Sequence, residues 1–541
     1  MAGEPYAVDE RGVVVKDWGG RFPVALGYPN TYSVGMSNLG FQSVYQLLNR
    51  DSCIVAERFF LDGEVAGGRL RTIESRRPVN AAGLIVFSVS FEYDYVNLAA
   101  MLIRAGLEPL AADRNENDPP VLVGGVVSFI NPRPLFPLVD GFLTGEAEAQ
   151  AAVLGDVLAR NSGVDRDRLL AELASVPGFF SPAKPETGRV VPPRARVDDF
   201  VPVNFITSPR SRVFPGTLLV EVNRGCPRGC RFCAAGFVYR PFRNRRLEVL
   251  QAAIRRGIGQ SGFHRVGLVG SALGDFPELK SLCAWLVAEG LEFAFSSLRV
   301  DVLDEELLEL LREGGVRTIT IAPEAGSERL RRVLRKNLDE ELILERAALV
   351  AAAGIGHLKL YFLFGLPGET MADIEAIVEL VKEIRRVMLE ARCRPQLNIS
   401  LSVSLNPFIP KPHTPLQWAP FAELDELKRK EAFLTRELRR CGGVEIECEN
   451  RFQAAWQALL SRGGEELAPA IMELAAETGG RARRIRALVR EHREKLKARD
   501  LTSELPWAFI EQATPVDFLR REYRAALVQP RKATKESRKF C

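Results

Sequence analysis

RGCPRGCRFCAAG, residues 224–236, carries cysteines at 226, 230 and 233, three thiols within eight residues of a chain whose other six cysteines are scattered. Positions i, i+4 and i+7 share one helical face, so a buried core stripe is one reading. Pro227 and Gly229 oppose it, because both disfavour a helix interior. Gly225 and Gly229 instead let the backbone bend closely around an object. The stretch follows the apolar run GTLLVEVN (216–223), a predicted strand. That places the thiols at a strand's carboxyl end, where parallel barrels carry their sites. Soft thiolates select zinc, copper(I) or iron–sulfur clusters. Structural zinc takes four ligands, usually from paired Cys hooks, and Cys53, Cys283, Cys393, Cys441, Cys448 and Cys541 supply no second hook. A four-iron cluster on three cysteines leaves one iron open to a small molecule, and this reading is preferred.

Towards the C-terminus, apolar runs alternate with helical patterns. HRVGLVGS (264–271), EFAFSSLRV (292–300), RTITIAPE (317–324), HLKLYFLFG (357–365) and QLNISLSVSLNPF (396–408) are predicted strands. Segments such as ADIEAIVELVKEIRRVMLEA (372–391) have helical spacing. Six strand–helix units across residues 213–425 predict a partial parallel (β/α)6 barrel, since a closed eightfold barrel typically takes ~250 residues.

Towards the N-terminus, FPVALGYP (22–29), AGLIVFSVSF (82–91), PPVLVGGVVS (119–128) and LVDGFLTGEAEAQ (138–150) are near-continuous apolar strands between amphipathic segments. Such strands lie in parallel sheets covered on both faces. A doubly wound, Rossmann-like domain is expected over 1–160, with ligands at its strands' carboxyl ends. Pro177, Pro182, Pro185, Pro192, Pro193, Pro202 and Pro209 mark 161–212 as a connector. Residues 426–541 read as a mainly helical region with a basic tail. The fold class is therefore α/β throughout the first two domains.

Of the 541 residues, 46% are hydrophobic and 26% charged, as in ordinary globular proteins. No run approaches the roughly 18–20 apolar residues of a membrane span. MAGEPYAVDERG lacks signal-peptide character. A cytoplasmic protein without membrane partners is expected, and a reducing compartment argues against disulfides. The net charge of +4 demands no polyanionic partner. Arg224, Arg228, Arg231, Arg240, Arg243, Arg245 and Arg246 nevertheless surround the cysteines, and two further basic stretches lie near the C-terminus. Solvated faces are one reading of these, an acidic or nucleic-acid substrate the other.

Cys226-x3-Cys230-x2-Cys233, with Phe232 before the last cysteine and a barrel strand in front, resembles the signature of radical S-adenosylmethionine (SAM) enzymes. The resemblance implies a [4Fe-4S] cluster on the three cysteines, with the open iron chelating SAM and Phe232 among the residues that help bind it. A reducing donor such as flavodoxin or ferredoxin would supply the electron that breaks a carbon–sulfur bond and releases a 5′-deoxyadenosyl radical. Gly270 and Ser271 occupy the place that takes the methionine amino group, although Asp275 is off the usual acidic spacing. Ser297 is a candidate for the ribose or carboxylate, and Arg299 for the carboxylate. APEAGSERLRRVLRK (322–336) is similar to a segment of methylthiotransferases: Glu324 is a candidate for the ribose hydroxyls and Ser327 a helix N-cap. FLFGLPGET (362–370) is also common in that group. NPFIPKPHTPLQW (406–418) predicts a rigid loop over the barrel mouth, with His413 contacting substrate or serving as cover.

VLVGGVVSFINP (121–132) and VDGFLTGEAEAQ (139–150) make the first domain resemble the cobalamin-binding domain preceding many radical SAM barrels. The resemblance implies a corrinoid over the strand ends, and methyl transfer to unactivated carbon or ring rearrangement. The Asp-x-His-x-x-Gly loop of metal-ligating cobalamin domains is replaced by GYPNTYSVGMSNLG (27–40), and the first histidine of the chain is His264. Either cobalamin binds without histidine, or the domain serves substrate or structure. ELPWAFIEQATPVDFLRREYRAAL (504–527) is similar to a little-characterised subgroup of these proteins. The expected function is radical modification, with methylation leading and RNA or a ribosome-associated substrate as candidate. A cobalamin-independent, methylthiotransferase-like modifier is one alternative. It falls behind because that family carries a second three-cysteine set where this chain has only Cys53. A non-catalytic RNA- or ribosome-binding protein with a structural metal is the other, and predicts steeply salt-dependent polyanion binding.

Overall fold

The computed structural model describes residues 10–161, 163, 165–183, 189–208, 213–477 and 479–528. Pro185, Pro209 and the basic tail QPRKATKESRKFC lie outside the described residues.

The N-terminal sheet contains β1 (Phe22–Tyr28), β2 (Ile54–Phe60), β3 (Leu84–Ser88), β4 (Val121–Gly124), β5 (Gly141–Leu143) and β6 (Phe179–Phe180). Their order is β2-β1-β3-β4-β5-β6, parallel except for the antiparallel last pair. Such sheets are buried on both faces. Along β1, Val24 and Leu26 enter a core with Phe41, Leu48 and Leu154, whereas Ala25 enters the opposite one with Leu98 and Leu102. Strand order reverses between β1 and β3, the switch point outside which doubly wound sheets hold ligands.

The second domain begins with β7 (Thr217–Arg224), β8 (Arg265–Gly270) and β9 (Glu292–Phe295), which pair in parallel. A second parallel sheet holds β10 (Thr318–Glu324), β11 (His357–Phe364), β12 (Ser400–Pro407) and β13 (Val444–Cys448). Leu298 bridges the two sheets by donating its N–H to Thr320 O at 3.1 Å. Alternation fixes the faces: Leu358, Leu360, Phe362 and Phe364 are buried, while His357, Lys359, Tyr361 and Leu363 are half-buried. Ser400 and Ser402 on β12 hydrogen-bond the two ring nitrogens of His357 at 2.7 and 3.1 Å, so that histidine is satisfied within the sheet. The seven strands form an incomplete barrel. β13 extends it beyond the six expected units, inside a stretch that otherwise forms helices such as Arg451–Arg462 and Val516–Leu527.

The two domains meet along a polar seam. Asn131 donates to the carbonyls of Ser461 and Gly463 at 3.0 and 2.9 Å. Glu92 faces Lys411 in the loop after β12. The same loop bonds back to the cysteine segment, Leu416 N–H to Arg231 O at 3.1 Å. No helix among the described residues is long and apolar enough to cross a membrane.

Candidate active site

The chain turns sharply as β7 ends. Gly225 has φ +84°, and a Cβ there would sit 2.3 Å from the carbonyl oxygen of Tyr239, so only glycine fits. Cys230 is buried, Cys226 and Cys233 partly so, and none is in a disulfide. Burial and the neighbouring Cys230 push the Cys233 thiol up to about 11. Burial also raises Cys230, against the pull of Lys336 and Arg299. Cys233 feels both other cysteines and Cys230 feels Cys226. Among the described residues no three His, Cys, Asp or Glu side chains converge on a single-ion point. A cluster spreads its thiolates over separate irons and needs no such convergence.

The segment after β10 packs directly on this loop. Ser327 caps the helix Glu328–Val333 by accepting from Leu330 N–H, as its sequence position predicts. Arg231, between two of the cysteines, donates its N–H to Leu334 O at 3.0 Å and its guanidinium to Val333 O at 2.8 Å. Phe232 packs against the apolar cluster containing Leu330, Leu334 and Trp418. Glu324 closes β10 in the left-handed region at φ +70°, a conformation that non-glycine residues rarely hold outside functional sites. Its carboxylate accepts from Lys336 Nζ at 3.0 Å, with both side chains about nine-tenths buried. Burial lowers the Lys336 pKa, but Glu324 and Cys230 outweigh it and hold the amine above its ordinary value. Lys336 gave no sequence signal. Left-handed Arg335 and Asn337 on either side of it, at φ +56° and +48°, are conformations that the run RKN does not advertise.

Gly270 ends β8 at a register shift, where a Cβ would lie 2.4 Å from Asn223 Oδ1. Asn223, also missed from sequence, donates to Ala272 O at 2.8 Å and so ties this turn to β7. Ser271 and Ser297 are exposed. Arg299 forms a two-pronged pair with Asp301 at 2.9 and 3.0 Å. Asp275 pairs with Arg228 of the cysteine loop at 2.5 Å. Asp275 thus braces the loop, and Arg299 is partnered within its own turn. His413 is buried, and its Nε2 lies 3.1 Å from Ile130 O. That places it in the interdomain seam, the structural-cover alternative.

A cavity of about 480 Å³ opens between the domains, lined from the N-terminal strand ends by Asn38, Ser90, Gly125 and Gly145 and from the barrel by Asn223 and Gly270. Beneath it, an apolar slot between Leu26, Val44, Val86, Leu143 and Leu154 shares the Gly125 and Gly145 rim. Gly125 and Gly145 have φ +90° and +101°, and a Cβ would meet Val89 O at 2.4 Å and Pro193 Cδ at 2.5 Å, so only glycine fits at either position. No histidine is among the described residues lining either space. Arg224 forms one wall, paired with Glu146, Glu148 and Glu221 at 3.0, 2.7 and 2.8 Å. Six of the seven arginines around the cysteines are held by carboxylates in this way, with Arg240 the exception in donating to Gly236 O.

Residues 40–182 match the model for the N-terminal region of radical SAM proteins, and residues 220–381 match that of the radical SAM superfamily. An uncharacterized protein of Methanocaldococcus jannaschii is 30% identical over 448 residues, 82% of this chain and 89% of that one. The chain belongs to the radical SAM superfamily: it is an enzyme, and its cofactors are a [4Fe-4S] cluster and SAM. The hopanoid C-3 methylase of Methylococcus capsulatus is 34% identical over 126 residues, 22% of each chain. An uncharacterized methyltransferase of Pyrococcus horikoshii is 22% identical over 311 residues, 54% of this chain and 65% of that one. In fold, the chain is similar to the radical SAM methyltransferase TsrM of Kitasatospora setae in a structure with cobalamin and a [4Fe-4S] cluster bound. The TM-score is 0.50 at 15% identity, over 74% of each chain.

Proposed function

We propose that Cys226, Cys230 and Cys233 hold the cluster, and that the protein methylates carbon on a substrate bound between its two domains. The observation that carries this reading is the set of three free cysteines in one glycine-turned loop at the carboxyl end of the first barrel strand. When bound, the cluster supplies the electron that cleaves SAM. The Gly270 turn and Glu324 close β8 and β10 and take the amino group and ribose of SAM, with Ser271, Ser297, Arg299 and Phe232 helping to bind it. The net reaction replaces a substrate C–H by C–CH3 and consumes two SAM and two electrons from the external donor: one SAM leaves as methionine and 5′-deoxyadenosine, which carries away the substrate hydrogen, and the other gives its methyl group and leaves as S-adenosylhomocysteine.

Methylation is favoured by the methylase and methyltransferase relatives and by the donor set of the interdomain space. The interdomain space and the slot beneath it offer room for a large flat cofactor at the strand ends, and a cobalamin there would have no protein histidine on its metal. An RNA substrate draws support from the methylthiotransferase-like loops and from the arginine clustering. Because six of those seven arginines are neutralised by carboxylates, a substrate of low charge fits the mouth better than a polyanion.

The test is anaerobic reconstitution with iron and sulfide, addition of cobalamin, and reduction in the presence of SAM. Four irons per chain, formation of 5′-deoxyadenosine and retention of corrinoid through gel filtration are the expected results. Tetrahedral zinc or a fourth side-chain ligand at the site would overturn the cluster assignment. Tight RNA binding that weakens steeply with salt would overturn the low-charge substrate.

A further inference from the structure

Lys336 has no assigned role, yet it is the cation best placed to act on the cluster. Its ammonium is about nine-tenths buried and bonded to Glu324 at 3.0 Å. The segment bearing it is fastened to the cysteine loop through Arg231. Two left-handed residues turn its side chain inward. Lys336 lies two residues beyond Leu334, whose carbonyl accepts from the N–H of Arg231 next to Cys230 at 3.0 Å, so the loop contact holds its charge close to that cysteine.

We infer that Lys336 is a positioning residue for electron uptake: resting on the cluster assignment above, its fixed positive charge beside Cys230 favours the reduced cluster, and Glu324 opposes it. Reduction adds one electron, taken from a low-potential donor such as flavodoxin or dithionite. A buried cation stabilises the added negative charge, and weak dielectric screening makes the effect large. The same lysine keeps the Glu324 carboxylate in place.

The experiment is anaerobic potentiometry of the reconstituted holoprotein, followed by electron paramagnetic resonance of the reduced cluster without SAM. Lys336→Met is expected to lower the reduction equilibrium constant about tenfold, a shift of about 59 mV to more negative potential for one electron. Glu324→Gln is expected to move it the opposite way, and Lys336→Arg to leave it near the parent. Opposite signs are the signature, because a loss of packing in either variant would not move the potential in a charge-dependent direction. Equal potentials in all cluster-bearing variants, or shifts of the same sign for Lys336→Met and Glu324→Gln, would overturn the inference. Failure of the parent protein to load iron would instead overturn the cluster assignment. If Lys336→Met loads poorly, Lys336→Gln and Glu324→Gln supply the same comparison.

Discussion

Glu92, in the loop after β3, and Lys411, in the loop after β12, meet at 2.6 Å across the interdomain seam. Ser461 and Gln457 of a C-terminal helix complete the carboxylate's shell at 2.5 and 2.9 Å. Glu92 is almost wholly buried and Lys411 is 23% exposed. Truncation by Lys411→Met strands the carboxylate, and an apparent destabilisation of roughly 2 kcal/mol is expected in urea unfolding. Glu92→Gln added to Lys411→Met should recover part of it, because the uncompensated charge is gone.

His413 makes the seam sensitive to acid. Burial lowers its pKa to about 3, against an ordinary value of 6.5. The unfolded chain therefore binds a proton that the folded one refuses at intermediate pH. Its contribution is fully present above pH 6.5 and falls as the pH drops from there towards 3, by roughly 2 kcal/mol at pH 5. Urea midpoints measured at pH 7.5 and pH 5 should converge in His413→Gln relative to the parent.

At the turn we propose for SAM, Gly270→Ala forces a methyl group against Asn223 Oδ1 and disturbs the tie to Ala272. A loss of about 1 kcal/mol, or roughly fivefold in Kd for SAM, is expected for reconstituted protein by equilibrium dialysis. Asn223→Ala should reproduce the loss.

Cysteines inside and outside the motif should behave differently. Cys230→Ala is expected to abolish 5′-deoxyadenosine formation and reduce iron loading. Cys53→Ala and Cys393→Ala, both at exposed positions, should leave both measurements at parental levels.

Much of the architecture was legible because its signals are local. Buried parallel strands read as unbroken apolar runs, and Gly225 and Gly229 announced the turn that carries the thiols. β13 was not legible, since VEIEC is a five-residue strand in a charged helical neighbourhood. Lys336 and Asn223 escaped for another reason. Lys336 acts through a left-handed pair on its own two flanks that the residue types do not announce, and Asn223 through a register shift at Gly270, distant in the chain. The arginines illustrate the converse. Clustering was visible in the sequence, but the carboxylates that hold them come from residues as distant as Glu146 and Glu522.

The strip from Lys411 to Leu416 touches both halves of the molecule: His413 grips Ile130 while Leu416 is bonded to Arg231 in the cysteine loop. Events at either end are therefore felt along a single span of backbone. Loading iron should slow amide exchange at Leu416, and an occupant of the interdomain space should slow it as well, so that whichever arrives first prepares the ground for the second.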